Sequence, residues 1–111
     1  MAFDEGLAQR VREILEEKQG FEEKKMFGGI CFMLQGNMAC GVLKDDLIVR
    51  VGPEKYEEFL KLPHSRKFDF TGKPMKGWVV VSPEGHESDI NLYEWTQKGA
   101  HYALSLTPKL N

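Results

Sequence analysis

The first repeating pattern in the chain is a stripe of apolar side chains at helical spacing. The charged residues between its members fall elsewhere on a helical wheel. The members of the stripe are Phe3, Leu7, Val11, Ile14 and Leu15. Such spacing predicts an amphipathic helix over residues 3–18. Gly20 follows where helices commonly end in a left-handed cap, so we expect the helix to stop before it.

Strand signals occupy the stretch from 24 to 51. Short apolar runs at 26–27, 30–34, 38–40 and 47–51 are separated by glycine and polar residues, and this arrangement is typical of β-strands. The Gly36-Asn37 pair is a hairpin signal between two of these runs. The stretch therefore predicts three consecutive strands in an antiparallel meander.

Helix and strand signals alternate in the second half of the chain. A helix is predicted from Pro53, which suits a first helical turn, to about residue 60. A weak strand is predicted at 68–70 and a strong one at 78–81. A last helix is predicted over 87–105, with one face that is mostly apolar and includes a glycine: Leu92, Trp95, Gly99, Tyr102, Ala103 and Leu106. Because glycine weakens a helix by about 1 kcal/mol relative to alanine, we expect close backbone contact at Gly99.

The order of these elements, α-β-β-β-α-β-β-α, predicts the α+β class. We expect a two-layer sandwich in which an antiparallel sheet of about five strands carries helices on one face. In the first hairpin, Ile30, Phe32 and Leu34 alternate with Cys31 and Met33. Since alternate residues of a strand point to opposite faces, both faces of the sheet are apolar there. Helices on one side leave the other face in water, so either another part of the chain covers it or a second molecule does. The simplest candidate is a homodimer through the sheet. The candidate residues of that dimer face are Cys31, Met33, Met38 and Cys40.

The two cysteines lie in this hairpin, and their relation depends on its turn. With a Gln35-Gly36 turn Cys31 lies opposite Cys40, whereas a Gly36-Asn37 turn places Cys31 opposite Val42. In both registers the two thiols share one face of the sheet. A redox pair is geometrically allowed, but buried free cysteines usually pack as small hydrophobic residues, and we favour packing.

Other reactive residues do not assemble into a site. The histidines His64, His86 and His101 have no second ligand or catalytic partner at a typical spacing. The Gly28-Gly29 pair leads into a strand rather than a helix, so it predicts a bend and not a phosphate loop. We therefore assign no catalytic residue, no metal and no cofactor.

Composition narrows the class of protein. A chain of 111 residues with 41% apolar residues suits one domain, here 1–111, around one core. With 15 basic and 17 acidic residues the net charge is −2, which excludes a polybasic tail and an acidic disordered segment. The chain has no apolar run of membrane-spanning length, begins with an acidic stretch and carries two cysteines, so we expect a cytoplasmic protein with no membrane partner.

Charge is distributed unevenly along the chain. Residues 1–23 carry three basic and seven acidic side chains, whereas residues 61–76 carry five basic and one acidic. Four of these cations lie near Phe68 and Phe70 and are candidate contacts for a nucleic acid or an acidic protein surface: Arg66, Lys67, Lys73 and Lys76. The alternative is a solvated loop beside an edge strand, where lysines guard against aggregation.

A specific glycine and aromatic pattern runs through the chain. Its parts are Lys25-Met26-Phe27-Gly28-Gly29-Ile30-Cys31-Phe32, Gly36-Asn37-Met38, Gly41-Val42, Asp45-Asp46-Leu47 with Arg50-Val51, Pro74-Met75-Lys76-Gly77-Trp78, and the closing Leu92, Trp95, Ala103, Leu106, Pro108 and Lys109. Over roughly residues 10–109 this pattern resembles the N-terminal domain of the TfoX competence regulators. The resemblance implies a two-layer α+β fold like that of type III secretion chaperones.

The resemblance also implies a regulatory rather than an enzymatic role. Full-length relatives are positive regulators of competence genes, acting with a cyclic-AMP receptor protein at promoters, and carry a second, C-terminal domain that we expect to be absent here. The leading hypothesis is a small adaptor or regulatory module that binds another protein, such as a component of the transcription apparatus, and dimerises. The alternative is direct nucleic-acid binding through the 61–76 loop, against which the net charge of −2 counts.

Overall fold

One antiparallel sheet organises the chain. The computed structural model describes residues 3–26, 28–69 and 72–109. Its elements, in chain order, are α1 (Glu5–Leu15), β1 (Phe21–Met26), β2 (Gly29–Leu34), β3 (Asn37–Leu43), β4 (Asp46–Arg50), α2 (Tyr56–Leu60), β5 (Ser65–Lys67), β6 (Trp78–Val81), α3 (Pro83–His86) and α4 (Asp89–Ser105). The strands form one six-stranded sheet in the order β1-β2-β3-β4-β6-β5, which confirms the predicted α+β class.

The sheet has one strand more than the sequence pattern predicts. The meander contains four strands rather than three, because β1 adds to the outer side of β2. The central residues of β1 are charged and exposed, and only Phe21 and Met26 at its ends are partly buried. A strand without an apolar face gives no alternating signal. Phe27, part of the apolar run at 26–27, lies outside the described residues.

Other predicted elements also differ from the structure. Helix α2 begins at Tyr56 and not at Pro53, because residues 53–55 form a turn before it. The strand predicted at 68–70 is wrong, because the pairing with β6 is made by Ser65–Lys67 and ends before Phe68. Phe70 lies outside the described residues. Before α4, a short helical turn, α3, occupies Pro83–His86, where the sequence predicts only a strand end.

The core lies between the sheet and the two long helices. Leu7, Val11 and Leu15 of α1 are buried on one face of that helix, as the apolar stripe predicts. They pack with Phe32 of β2 and with the buried side of α4 in one hydrophobic cluster. Both long helices therefore cover the same face of the sheet.

Helix α4 lies very close to the sheet at one point. A Cβ atom built on Gly99 would lie 2.8 Å from Sγ of Cys40 and closer still to the carbonyl oxygen of Ala39. These two residues belong to β3, so α4 rests directly on the strand backbone. The predicted close contact at Gly99 is thereby confirmed, and it explains why α4 carries a glycine in its third turn.

Both long helices begin with a side-chain cap. The backbone N–H of Leu7 donates to the carboxylate of Asp4 at 3.1 Å, and the N–H of Asn91 donates to Oγ of Ser88 at 3.1 Å. Such caps satisfy backbone donors that a first helical turn leaves unpaired. Among the described residues no helix is long and apolar enough to cross a membrane.

Candidate interaction surface

The face of the sheet opposite α1 and α4, called the open face here, is apolar in its centre. Along β2, Phe32 points into the helix-covered core, whereas its neighbours Cys31 and Met33 point to the other side. Cross-strand pairing adds Met38 beside Met33. It also places Ile48 of β4 opposite Val80 of β6, both outside the main core cluster. The open face thus carries a continuous apolar patch across four central strands.

A β-bulge in the first hairpin decides which residues reach this face. Leu34 pairs with Asn37 across a Gln35-Gly36 turn, but beyond Met33 the register shifts, and Phe32 pairs with Cys40. The shift leaves Ala39 as the one extra residue of β3. Since an extra residue reverses the alternation of side chains, everything after it changes face.

The two thiols consequently lie on opposite faces, and the prediction that they share one is wrong. Cys31 pairs with Gly41 on the open face. Cys40 belongs to the core, where its Sγ lies 3.9 Å from the carbonyl oxygen of Thr96 in α4. The predicted registers assumed a regular hairpin, and the bulge removes that regularity. Of the four residues proposed for a dimer face, Cys31, Met33 and Met38 lie on the open face, and Cys40 does not.

Burial makes both thiols poor nucleophiles. Removal from water raises the pKa of the Cys31 thiol and raises the pKa of the fully buried Cys40 to about 12. A thiol reacts as its thiolate, so a raised pKa lowers reactivity at neutral pH. The sheet between the two thiols separates them, and both are free. This arrangement supports packing rather than redox chemistry.

Part of the open face is covered by the chain between β5 and β6. Phe68 and Met75 are joined by a backbone hydrogen bond of 2.9 Å from the Met75 N–H to the Phe68 carbonyl. The ring of Phe68 lies 6.3 Å from that of Trp78, at the start of β6. With the sheet they enclose a cavity of about 240 Å³, called the open-face cavity, which Cys31 also lines.

The lining of the open-face cavity is adaptable and almost free of polar atoms. Three of its side chains are methionines, Met26, Met38 and Met75. Methionine is flexible and polarisable, and it is common on surfaces that accept apolar groups of different shape. Gly41 forms part of the floor, where an added Cβ would lie 2.9 Å from Cε of Met38. A concave apolar site of this kind suits a bulky apolar side chain.

The four predicted basic contacts do not form one equivalent set. Arg66 is engaged, because its guanidinium donates to the Asp46 carboxylate at 2.8 Å and to Oγ of Ser82 at 2.6 Å. Lys67, Lys73 and Lys76 are exposed and form no ion pair within the part of the chain that the structure describes. Lys76 directly follows Met75, which lines the open-face cavity. Lys73 and Lys76 therefore lie on the segment that covers the open face, whereas Lys67 is the last residue of β5.

Arg50 occupies an environment that its sequence position does not reveal. In an apolar strand such an arginine is expected to face solvent or to meet a carboxylate. The structure instead places its guanidinium carbon 5.2 Å from the ring centre of Trp78 and 5.4 Å from that of Tyr102. These are cation–π distances. The contact depends on the pairing of β4 with β6, which a local pattern does not encode.

Of the three histidines only His86 is buried, and its Nε2 lies 2.9 Å from the carbonyl oxygen of Asp45. His64 and His101 are exposed. Within residues 3–26, 28–69 and 72–109 no three histidine, cysteine, aspartate or glutamate side chains gather in a way that could hold a metal ion. A larger groove of about 830 Å³ runs beside α4, but charged side chains of both signs line it, among them Glu94 and Lys98.

Comparison with known proteins identifies a family whose sequence pattern this chain matches. The family model described as the TfoX N-terminal domain matches residues 13–103. This span includes the six strands, most of α4 and the last turn of α1. It also includes the Gly41 floor of the open-face cavity and the segment that covers it. A comparison with curated proteins found no match.

Proposed function

Because the chain belongs to the TfoX N-terminal domain family, a family of regulatory domains, we propose that it is an adaptor module that binds another protein through the open face of its sheet. The observation that carries this proposal is the open-face cavity between Met38 on the sheet and Met75 on the covering segment. Cys31 and Ile48 at the cavity are buried and Met38 is partly exposed, so the site is an apolar pocket rather than an open patch, and such pockets accept anchor side chains of protein partners.

The charge around the cavity indicates which partner fits. Lys73 and Lys76 lie on the covering segment on either side of Met75, and both are exposed. Cations at the rim of an apolar site favour acidic partners by steering their approach, whereas the buried centre supplies most of the affinity. The partner segment is therefore one that presents a bulky apolar side chain among acidic residues.

The family suggests a setting for this interaction. Competence regulators act on gene expression, so a component of the transcription apparatus in the cytoplasm is the partner we propose. The contribution of this chain would be recognition rather than catalysis.

The proposal is tested by crosslinking from two positions. A photo-crosslinking amino acid is placed at Met38, on the open face, and at Glu57, an exposed residue of α2. We expect a defined protein to be captured from position 38 and not from position 57. With that protein purified, Met75→Glu should weaken binding at least tenfold, whereas Glu57→Lys should leave it unchanged. Equal capture from both positions, or none from position 38, would contradict the proposal.

Direct nucleic-acid binding is the second candidate function. Lys67, Lys73 and Lys76 favour it, because they are exposed, form no ion pair among the described residues and lie close to Phe68 along the chain. Anisotropy of a labelled duplex, titrated at several salt concentrations, measures it. Binding that weakens steeply with salt and disappears in the Lys73→Glu, Lys76→Glu double variant would support this function. Affinity that the double variant leaves unchanged would exclude these lysines as the contact.

A further inference from the structure

Strand β1 forms one edge of the sheet. It pairs with β2 on one side, and no strand lies on its other side within the described residues. It is six residues long, whereas β5 at the opposite edge has three. The outer backbone groups of a long edge strand are available to pair with another strand. β1 is therefore the edge at which strand addition gains the most hydrogen bonds.

The side chains of β1 select a particular partner. Its central residues are Glu22, Glu23, Lys24 and Lys25, two acids followed by two bases with no net charge. In an antiparallel arrangement the acidic half of one such strand faces the basic half of another. We propose that β1 pairs antiparallel with β1 of a second copy of the chain, which joins two sheets into one.

Symmetry restricts the register of this pairing. Two identical antiparallel strands are related by a twofold axis perpendicular to the sheet, which keeps each side chain on its own face. Glu22 pairs with Met33 and Lys24 pairs with Cys31, so both charged residues lie on the open face. A pair between Glu22 of one copy and Lys24 of the other satisfies the symmetry, and it occurs twice in each dimer.

This register creates one like-charge contact, and a neighbouring cation compensates it. It places Glu23 opposite Glu23 of the second copy, on the helix side of the sheet. Each Glu23 is already bound by Arg12 of α1 through two hydrogen bonds of 2.5 and 2.7 Å, and this contact lowers the pKa of the carboxyl group. A symmetric register centred on Lys24 would bring together two copies of Lys24, and one centred on Glu22 would bring together two copies of Glu22. Neither residue has an ion-pair partner among the described residues.

The edge is a better dimer surface than the open face. Two open faces packed together would bring the Lys73 and Lys76 cations of both copies to one interface, whereas β1 complements itself. Pairing at the edge leaves both open faces exposed on the same side of the joined sheet. The inference thus moves the homodimer expected from the sequence to a different surface, and it does not depend on what the open face binds.

A charge-exchange experiment tests the pairing. Wild-type protein, Glu22→Lys and Lys24→Glu are compared by sedimentation velocity from dilute to near-millimolar concentration, with folding checked by circular dichroism. We expect the wild type to dimerise weakly and the dimer dissociation constant of each single variant to be at least about tenfold higher, because the attractive charge pairs become repulsive. An equimolar mixture of the two variants should form a heterodimer, since the two bases at positions 22 and 24 of one variant then face the two acids of the other. High salt should weaken both dimers.

The controls separate this pairing from a general effect of surface charge. Glu57→Lys makes the same charge change on α2 and should dimerise like the wild type. If the charges of β1 only protect an exposed edge, the wild type will remain monomeric at the highest concentration, and the inference fails. It fails equally if the single variants dimerise like the wild type or if their mixture forms no heterodimer.

Discussion

The contact between α4 and the bulged strand allows a sharp prediction for Gly99→Ala. In an exposed helix this substitution stabilises by about 1 kcal/mol, because alanine is the better helix former. Here the new Cβ would lie 2.8 Å from Sγ of Cys40 and closer still to the carbonyl oxygen of Ala39. Helix propensity and packing therefore act in opposite directions at this position, and the packing geometry decides the sign.

The size of the effect follows from the displacement that the methyl group requires. Ordinary contact begins near 3.4 Å, so α4 must move outward by more than half an ångström or β3 must deform. Overpacking of this kind costs about 1–3 kcal/mol. Since the obstacle at Ala39 is backbone, which does not rotate away, we place the cost at the upper end. After the gain in propensity, about 1–2 kcal/mol of net destabilisation remains.

Thermal unfolding measures this difference against a matched substitution. A net loss of that size should lower Tm by about 4–8 °C in a domain of this length. Gly6→Ala in α1 is the control, because its Cβ would meet only Oδ1 of Asp4, the cap acceptor of that helix, at 3.3 Å. A shift of a few tenths of an ångström relieves this contact, so Tm should stay the same or rise slightly. If Gly99→Ala leaves Tm unchanged or raises it, the close approach of α4 to β3 does not exist in solution.

Three further predictions concern the thiols and one glycine. Burial raises the pKa of both thiols, so Cys31 should react slowly with a thiol reagent in the native protein and Cys40 only after unfolding. No disulfide should form in air. Rapid reaction of both thiols in the native protein would contradict this. A raised thiol pKa stabilises the fold below the unfolded value, 9.0, and this contribution is lost as pH rises towards about 12. The free energy of unfolding should therefore fall above pH 9 by up to about 1.4 kcal/mol per pH unit. Urea titrations of Cys40→Ala should show a shallower fall with pH. Equal pH slopes in the two proteins would show that the Cys40 thiol is not the cause. Gly77 has φ +97° beside the backbone of Gly52, so Gly77→Val should cost more than about 1 kcal/mol; an unchanged urea midpoint would show that the position is not strained.

The parts of the fold that the sequence predicts are those with a local apolar period. The stripe through Leu7, Val11 and Leu15 predicts α1 because burial repeats with the helical turn. The alternation around Phe32 predicts the two apolar faces of β2. The sequence does not predict β1, because the charged central residues of this edge strand show no alternation of apolar and polar side chains.

The site is harder to predict, since it depends on pairings between distant residues. The bulge at Ala39 lies within a run in which every residue is apolar, so no alternation marks the extra residue. Arg66 reaches Asp46 only because β6 lies between β4 and β5, a strand order that does not follow the chain. The basic character of the 61–76 segment is visible in the sequence, but the pairing of Arg66 is not.

The bulge at Ala39 also bears on how this protein tolerates hereditary change. A point substitution in β3 alters one contact, whereas loss of the single codon for Ala39 would remove the one residue of the strand that has no partner on β2. The remaining residues could keep their present pairs, Met33 with Met38 and Phe32 with Cys40, in a regular hairpin, so each would stay on its own face. The cost of such a loss would fall on α4 instead, because the carbonyl oxygen of Ala39 lies against Gly99.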